Sequence, residues 1–231
     1  MTLRRILRLA VLLATAAAAF WVGLPQLPDR WSPWAPLRLS DPPNLLTGFK
    51  LRRLGDDPVA CRAVLDQADF TYTPVADRQT GSGCGFRNAV RIERGDIAYG
   101  GGFVATCPLA VALELFERHA LQPAAEAVFG QPVVAIEHLG SYACRNVGNR
   151  RAGRRSQHAS ANALDIAGVV LRDGTRVTLA GDWDGGGAKA GFLRRARDGA
   201  CEIFGVVLGP DYDAAHRTHL HVDLSRASLC R

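Results

Sequence analysis

The chain has 231 residues, about half of them hydrophobic, with a mean hydropathy near zero. This excludes a disordered polar chain and suits one core-bearing domain plus extensions. The 28 Lys and Arg against 22 Asp and Glu leave a net charge of +6 and a pI near 9.3, which favours anionic surroundings. The arginines are scattered. Their one dense cluster, Arg150, Arg151, Arg154 and Arg155, has no nucleic-acid-binding module around it, so nucleic acid is not an expected partner.

Arg4, Arg5 and Arg8 precede Leu9 to Leu24, a run without a charge. A basic start followed by an apolar run is an export signature. The run is long for the core of a signal peptide and short of the roughly 20 residues of a membrane span. Residues 1–24 therefore read either as a signal peptide, with Ala17, Ala18 and Ala19 available for cleavage, or as a retained membrane anchor with Trp21 at the interface. Both place the remainder in the periplasm or cell envelope. Six of the twelve prolines fall between Pro25 and Pro43, beside Trp31 and Trp34. Residues 25–50 thus read as a stiff, Pro-rich tether to a domain over 51–231.

Within that domain, Asp57-Pro58 starts a helix that runs to Leu65. Strands are expected at 90–92 and 97–99, a helix from Pro108 over 109–121, a shorter one from Pro123 to Phe129, and a strand over 132–136. Residues 139–157, rich in Gly, Asn, Ser and Arg, read as a loop. Segments 165–171 and 175–180 flank Asp173-Gly174, a hairpin signal. A helix is expected over 188–204, and strands at 206–208 and 220–224. Helices mixed with antiparallel strands make an α+β domain.

The six cysteines, Cys61, Cys84, Cys107, Cys144, Cys201 and Cys230, form no C-x-x-C pair. An even number at wide spacing in an exported chain suits disulfides. Neighbour-to-neighbour pairing would join Cys61 to Cys84, Cys107 to Cys144 and Cys201 to Cys230.

Four of the six histidines lie in the last third. One element, from Ser156 to Ile166, holds His158 and Asp165. The other, from His216 to Asp223, holds His219 and His221, two apart and so on one face of a strand. Two imidazoles and one carboxylate form a typical catalytic zinc set with a fourth position open. Non-haem iron can use the same donors, while an oxidising compartment and hydrolase-like surroundings favour Zn2+. Asp223, further along the strand, is placed to orient a histidine. His119 reads as a surface residue on a helix and His138 as a strand-end residue.

The pattern Ser156-x-His158-x-x-Ala161-x-Ala163-x-Asp165 followed by His219-x-His221 resembles the zinc peptidases that cut D-alanine peptides. These are the VanY-type D,D-carboxypeptidases and the penicillin-insensitive murein endopeptidases, whose fold the hedgehog signalling domain shares. Residues from about 45 to 231 more closely resemble the bacterial extensin-like C-terminal domain family, through Gly140 to Arg145, Ser156 to Ala159, Gly199 to Cys201, Val207 to Pro210 and His216 to Asp223. The resemblance implies a hedgehog/D,D-peptidase-like domain with helices on a small, mainly antiparallel sheet. It implies His158, Asp165 and His221 as zinc ligands, with His219 and His216 as active-site histidines. Tyr142 and Arg145, with Ser156, would face a peptidoglycan peptide. Two positions depart from the peptidase pattern. Ala161 stands for a glycine, and Thr218 for the general-base glutamate, so the base role passes to His219. The alternative is a zinc-stabilised domain that binds cell-wall peptide without cutting it.

Overall fold

The computed structural model describes residues 3–23 and 28–231. It divides into two compact units, Met1–Pro36 and Leu37–Arg231. In the first, α1 (Leu3–Gly23) covers the expected export segment and a 3-10 turn covers Asp29–Trp31. No helix among the described residues is long and apolar enough to cross a membrane. The junction expected near residues 24–27 lies outside the described residues, as do the side chains of Ala17, Ala19 and Trp21.

The tether expected over 25–50 is shorter than its prolines suggest. Leu37 and Leu39 are buried in the core of the second unit. Alternate residues of an extended segment share a face, so two leucines two apart give it something to bury. Gln67 clamps the stretch, its Oε1 accepting from Leu39 N (3.1 Å) and its Nε2 donating to the Leu37 carbonyl (3.4 Å). Helix α2 (Thr47–Gly55) follows, burying Leu51 and Leu54. It was not legible because residues between 37 and 50 are dominated by proline and polar residues.

Helix α3 (Pro58–Leu65) forms as expected, with the Asp57 carboxylate accepting from Ala60 N at 2.9 Å. Then come β1 (Thr71–Val75), β2 (Arg78–Gly81), β3 (Cys84–Phe86), β4 (Ala89–Arg94), β5 (Ala98–Tyr99) and β6 (Phe103–Thr106). β1 and β2 are mostly exposed and β3 is three residues long, so none carries an apolar alternation and only β4 and β5 were anticipated. Thr106 caps α4 (Cys107–Phe116), which passes through a π-helical turn (Glu117–Leu121) into α5 (Gln122–Phe129). Strand β7 (Val133–Gly140) runs four residues past the expected end at Ile136. After the loop come β8 (Ala163–Leu171) and β9 (Arg176–Thr178). The strand expected over 175–180 stops at Thr178, whose hydroxyl accepts from Gly181 N and opens α6 (Leu179–Asp182). Helix α7 (Ala188–Cys201), β10 (Val206–Leu208), β11 (Leu220–Asp223) and β12 (Leu229–Cys230) complete the domain.

Among the described residues the main sheet runs β12-β10-β11-β8-β7-β5, with β9 also on β8. The β10–β12 and β5–β7 pairs are parallel and the rest antiparallel. A second sheet is β1-β4-β6, and β2 pairs β3. The α+β class is as expected. Central β8 is buried along nearly all its length, as its apolar sequence requires. Gly168 permits the close approach of β9: a Cβ there would lie 2.6 Å from the Val177 carbonyl.

All six cysteines are paired, but two of the three expected bonds are wrong. Cys61 joins Cys107, Cys84 joins Cys144, and Cys201 joins Cys230 as expected. Cys61 sits on α3 and Cys107 opens the neighbouring α4, whereas Cys84 lies in the β2–β3 hairpin over the 141–145 loop. Pairing follows those tertiary neighbours. The closed loops span 46, 60 and 29 residues. In the chain-entropy model each contributes on the order of 4 kcal/mol.

The π-helical turn carries a buried acid. Glu117 Oε1 accepts from the Tyr99 hydroxyl, while Oε2 has no hydrogen-bond partner. Burial raises the Glu117 carboxyl to about 8, helped by the charges of Glu114 and Asp96 against the bond from Tyr99. The folded protein holds this proton where the unfolded chain, titrating near 4.5, releases it. The associated stability is present at low pH and is lost as pH rises toward about 8, at roughly 1.4 kcal/mol per pH unit for one proton. Glu117→Gln should flatten that slope in urea unfolding between about pH 5 and about pH 8. Equal slopes in wild type and variant would show that Glu117 ionises as freely folded as unfolded.

Candidate metal centre

Strand register builds the site. In the antiparallel β11–β8 pair His221 lies opposite Asp165, and on the other side of β8 Gly140 of β7 also pairs with Asp165. Ser141, next in the chain, is therefore delivered beside the carboxylate. His158 comes from the 3-10 turn Gln157–Ser160, whose first amides are held by the Ser156 hydroxyl, accepting from His158 N at 3.3 Å. The turn closes on Ala161, buried and in the left-handed conformation (φ 54°). A glycine would be relaxed there, whereas alanine bears strain next to the site.

Three donor atoms converge. His158 Nε2 lies 3.1 Å from Asp165 Oδ1 and 3.1 Å from His221 Nδ1, and His221 Nδ1 lies 2.9 Å from Asp165 Oδ1. Among the described residues this is the group of His, Cys, Asp and Glu that could hold a metal ion. Two ligands about 2.0–2.1 Å from a tetrahedral zinc stand roughly 3.3 Å apart, so the spacing is close to what the ion needs. The other ring nitrogens are engaged as metal-bound histidines require. His158 Nδ1 donates to the Ser141 carbonyl at 3.1 Å, and His221 Nε2 donates to Asp223 Oδ2 at 3.1 Å. In the neutral ring, each bond leaves the opposite nitrogen's lone pair facing the cluster. The donor set fits zinc.

The electrostatics follow from burial. Burial alone would raise the Asp165 carboxyl, but hydrogen bonds from His158 and His221 and their charge hold it well below the carboxylate range. Burial opposes charge on His221, yet Asp165 and Asp223 on either side raise it to about 9 in the metal-free protein.

His219 precedes β11 and reaches the same centre. Its Nε2 stands 3.6 Å from Asp165 Oδ1, and its buried Nδ1 has no hydrogen-bond partner. Burial lowers its pKa, against the pull of Asp165, so the ring is neutral at pH 7. His216 stacks near it, ring centroids 5.2 Å apart, and its Nδ1 bonds Asp213 Oδ1 at 2.7 Å. That Asp213 caps the His216 turn was not anticipated, although Asp-x-x-His at a turn start is a legible signal.

The residues expected to face substrate divide. Tyr142 bonds the Thr80 hydroxyl and sets its ring against Phe86 at 5.6 Å. Ser156 serves the His158 turn. Arg145 is half-exposed, and its carbonyl accepts from Ser156 N at 3.0 Å. His138 stacks on Phe103 at the sheet end. His119, expected at the surface, is half-buried because its Nε2 bonds the Leu39 carbonyl at 2.8 Å. The Ser141 carbonyl that orients His158 had no sequence signal, since a backbone acceptor is the same for every residue type.

A family model for the extensin-like protein C-terminus matches residues 59–231. The chain belongs to that family. The match spans every residue of the centre just described, so the candidate site lies within the matched segment. Comparison with curated proteins and with solved structures returned no match.

Proposed function

We propose that the extensin-like domain is an exported zinc-dependent peptidase acting on the peptide stems or crosslinks of peptidoglycan. The observation that carries this is the convergence of His158 Nε2, Asp165 Oδ1 and His221 Nδ1, with both remaining imidazole nitrogens bonded and a further histidine, His219, alongside. The sequence resemblance to the D-alanine-cutting zinc peptidases supports the substrate class. Three disulfides and the apolar N-terminal segment support a periplasmic or envelope location, by a signal peptide or an anchor.

When bound, zinc supplies a Lewis acid and a water nucleophile usable at neutral pH. The chain supplies the rest. Neutral His219 accepts the nucleophile's proton and returns it to the leaving amine. His216, anchored by Asp213, buttresses the His219 ring. Arg145 offers a planar guanidinium to a carbonyl or carboxylate of the peptide. Thr218 takes no part as a base, because a hydroxyl does not accept a proton at neutral pH.

The test is metal analysis of protein purified from the periplasm, followed by mass spectrometry of muropeptides incubated with it. About one zinc per chain together with new cleavage products is the expected result. Zinc without any turnover would sink the peptidase reading in favour of a zinc-stabilised wall-binding domain.

A further inference from the structure

A groove of about 700 Å³ lies between the β2–β3 hairpin and the end of the turn that carries His158. One wall holds Arg78, Phe86 and Arg87. The other holds Thr106, Ser160 and Asn162, with Ser160 and Asn162 two and four residues after His158. Both walls are fastened to the rest of the domain. The hairpin is stapled to the 141–145 loop by Cys84–Cys144, tied to Tyr142 through Thr80, and held at its turn by Arg155 Nη2 donating to the Ser82 carbonyl at 2.5 Å. Opposite, Asn162 Oδ1 accepts from the Thr106 hydroxyl at 2.9 Å and its Nδ2 donates to Gln157 Oε1 at 2.8 Å.

The hairpin adds no side chain to the domain's core cluster, yet it is fastened at three points. What it presents to the groove is cationic. Arg78 and Arg87 are exposed, and neither side chain forms an ion pair with a described residue. One acid, Asp77, also lines the groove and accepts from Asn88 N at 2.9 Å, so the lining carries two cations against one anion. Two guanidiniums beside an aromatic ring suit planar carboxylates spaced along a peptide with short apolar side chains.

We infer that this groove binds the carboxylate-bearing part of the peptide, with Arg78 and Arg87 recognising its free carboxylates. The inference rests on the peptidase reading, because it takes the shared His158 turn as the link between groove and scissile bond. It makes the domain selective for anionic stems over amidated ones.

The test compares two synthetic stem tetrapeptides, one with free carboxylates and one amidated, by calorimetry on the zinc-loaded full chain, with hydrolysis followed in parallel. The wild type should bind the free-carboxylate peptide more tightly. Arg78→Ala with Arg87→Ala should weaken that binding about 10–100-fold, the loss of one or two charge-assisted hydrogen bonds, and leave the amidated peptide unchanged. Both arginines are exposed, so zinc content and melting temperature should stay at wild-type values. Arg78→Lys with Arg87→Lys should recover only part of the loss, since an ammonium cannot form the two-pronged contact. Equal affinities of wild type and the alanine variant for the free-carboxylate peptide would overturn the groove assignment and leave the peptidase reading standing. Arginine-dependent binding without cleavage would do the reverse. No binding of either peptide to the wild type would overturn both.

Discussion

His158→Ala should strip the protein of zinc, weakening affinity by more than the roughly 10–100-fold typical of losing an outer hydrogen-bond partner. The two donors left, Asp165 Oδ1 and His221 Nδ1, would stand 2.9 Å apart on facing strands with no third ligand to close the set. His221→Ala should do the same. Asp223→Ala, which frees the His221 Nε2 proton without removing a donor, should fall within the 10–100-fold range. Affinity should also depend on pH. Metal-free His221 holds its proton up to about 9, and that proton must leave before Nδ1 can bind. Apparent affinity therefore rises with pH below about 9, by up to about tenfold per unit for one proton, and levels off above it. Competition with a chromogenic chelator across pH reads both effects. Full zinc retention by both His158→Ala and His221→Ala would refute the ligand assignment.

His219→Ala should keep its zinc and its fold, yet lose at least about 100-fold in peptide hydrolysis, the low end for general acid–base catalysis. The ring stands beside Asp165 without being one of the three converging donors, and its buried Nδ1 has no other bond to make. Burial keeps it neutral near pH 7, so activity should decline as the pH falls and the ring takes up its proton. His216→Ala should cost less, because its hydrogen bond is to Asp213 and it meets His219 only through ring contact. Steady-state rates on a muropeptide, with zinc content measured on the same samples, decide the matter. A variant that loses zinc and activity together would make His219 a fourth ligand closing a structural site.

Much of this was legible in the sequence because it rests on local chemistry. Asp57-Pro58 starts a helix by capping and a fixed φ, whatever surrounds it. The apolar spacing from Leu109 signalled a helix and Asp173-Gly174 a hairpin, and both form. His158, Asp165, His219 and His221 stood out because donor types and spacing are properties of the chain. Tertiary structure alone decided the rest. The pairing of Cys61 with Cys107 and of Cys84 with Cys144 depends on which elements pack together, and that is not encoded in the spacing of cysteines. Leu37 and Leu39 join the core, despite their proline-rich setting, because burial of an apolar face outweighs a composition that suits a tether. Strand β1 forms by pairing with non-adjacent β4, and β2 and β3 form a local hairpin held by a disulfide, all with little apolar pattern of their own. The orientation of His158 hangs on the Ser141 carbonyl, which reaches it only because β7 and β8 pair in one register; every residue carries that same carbonyl, so only the fold could select it.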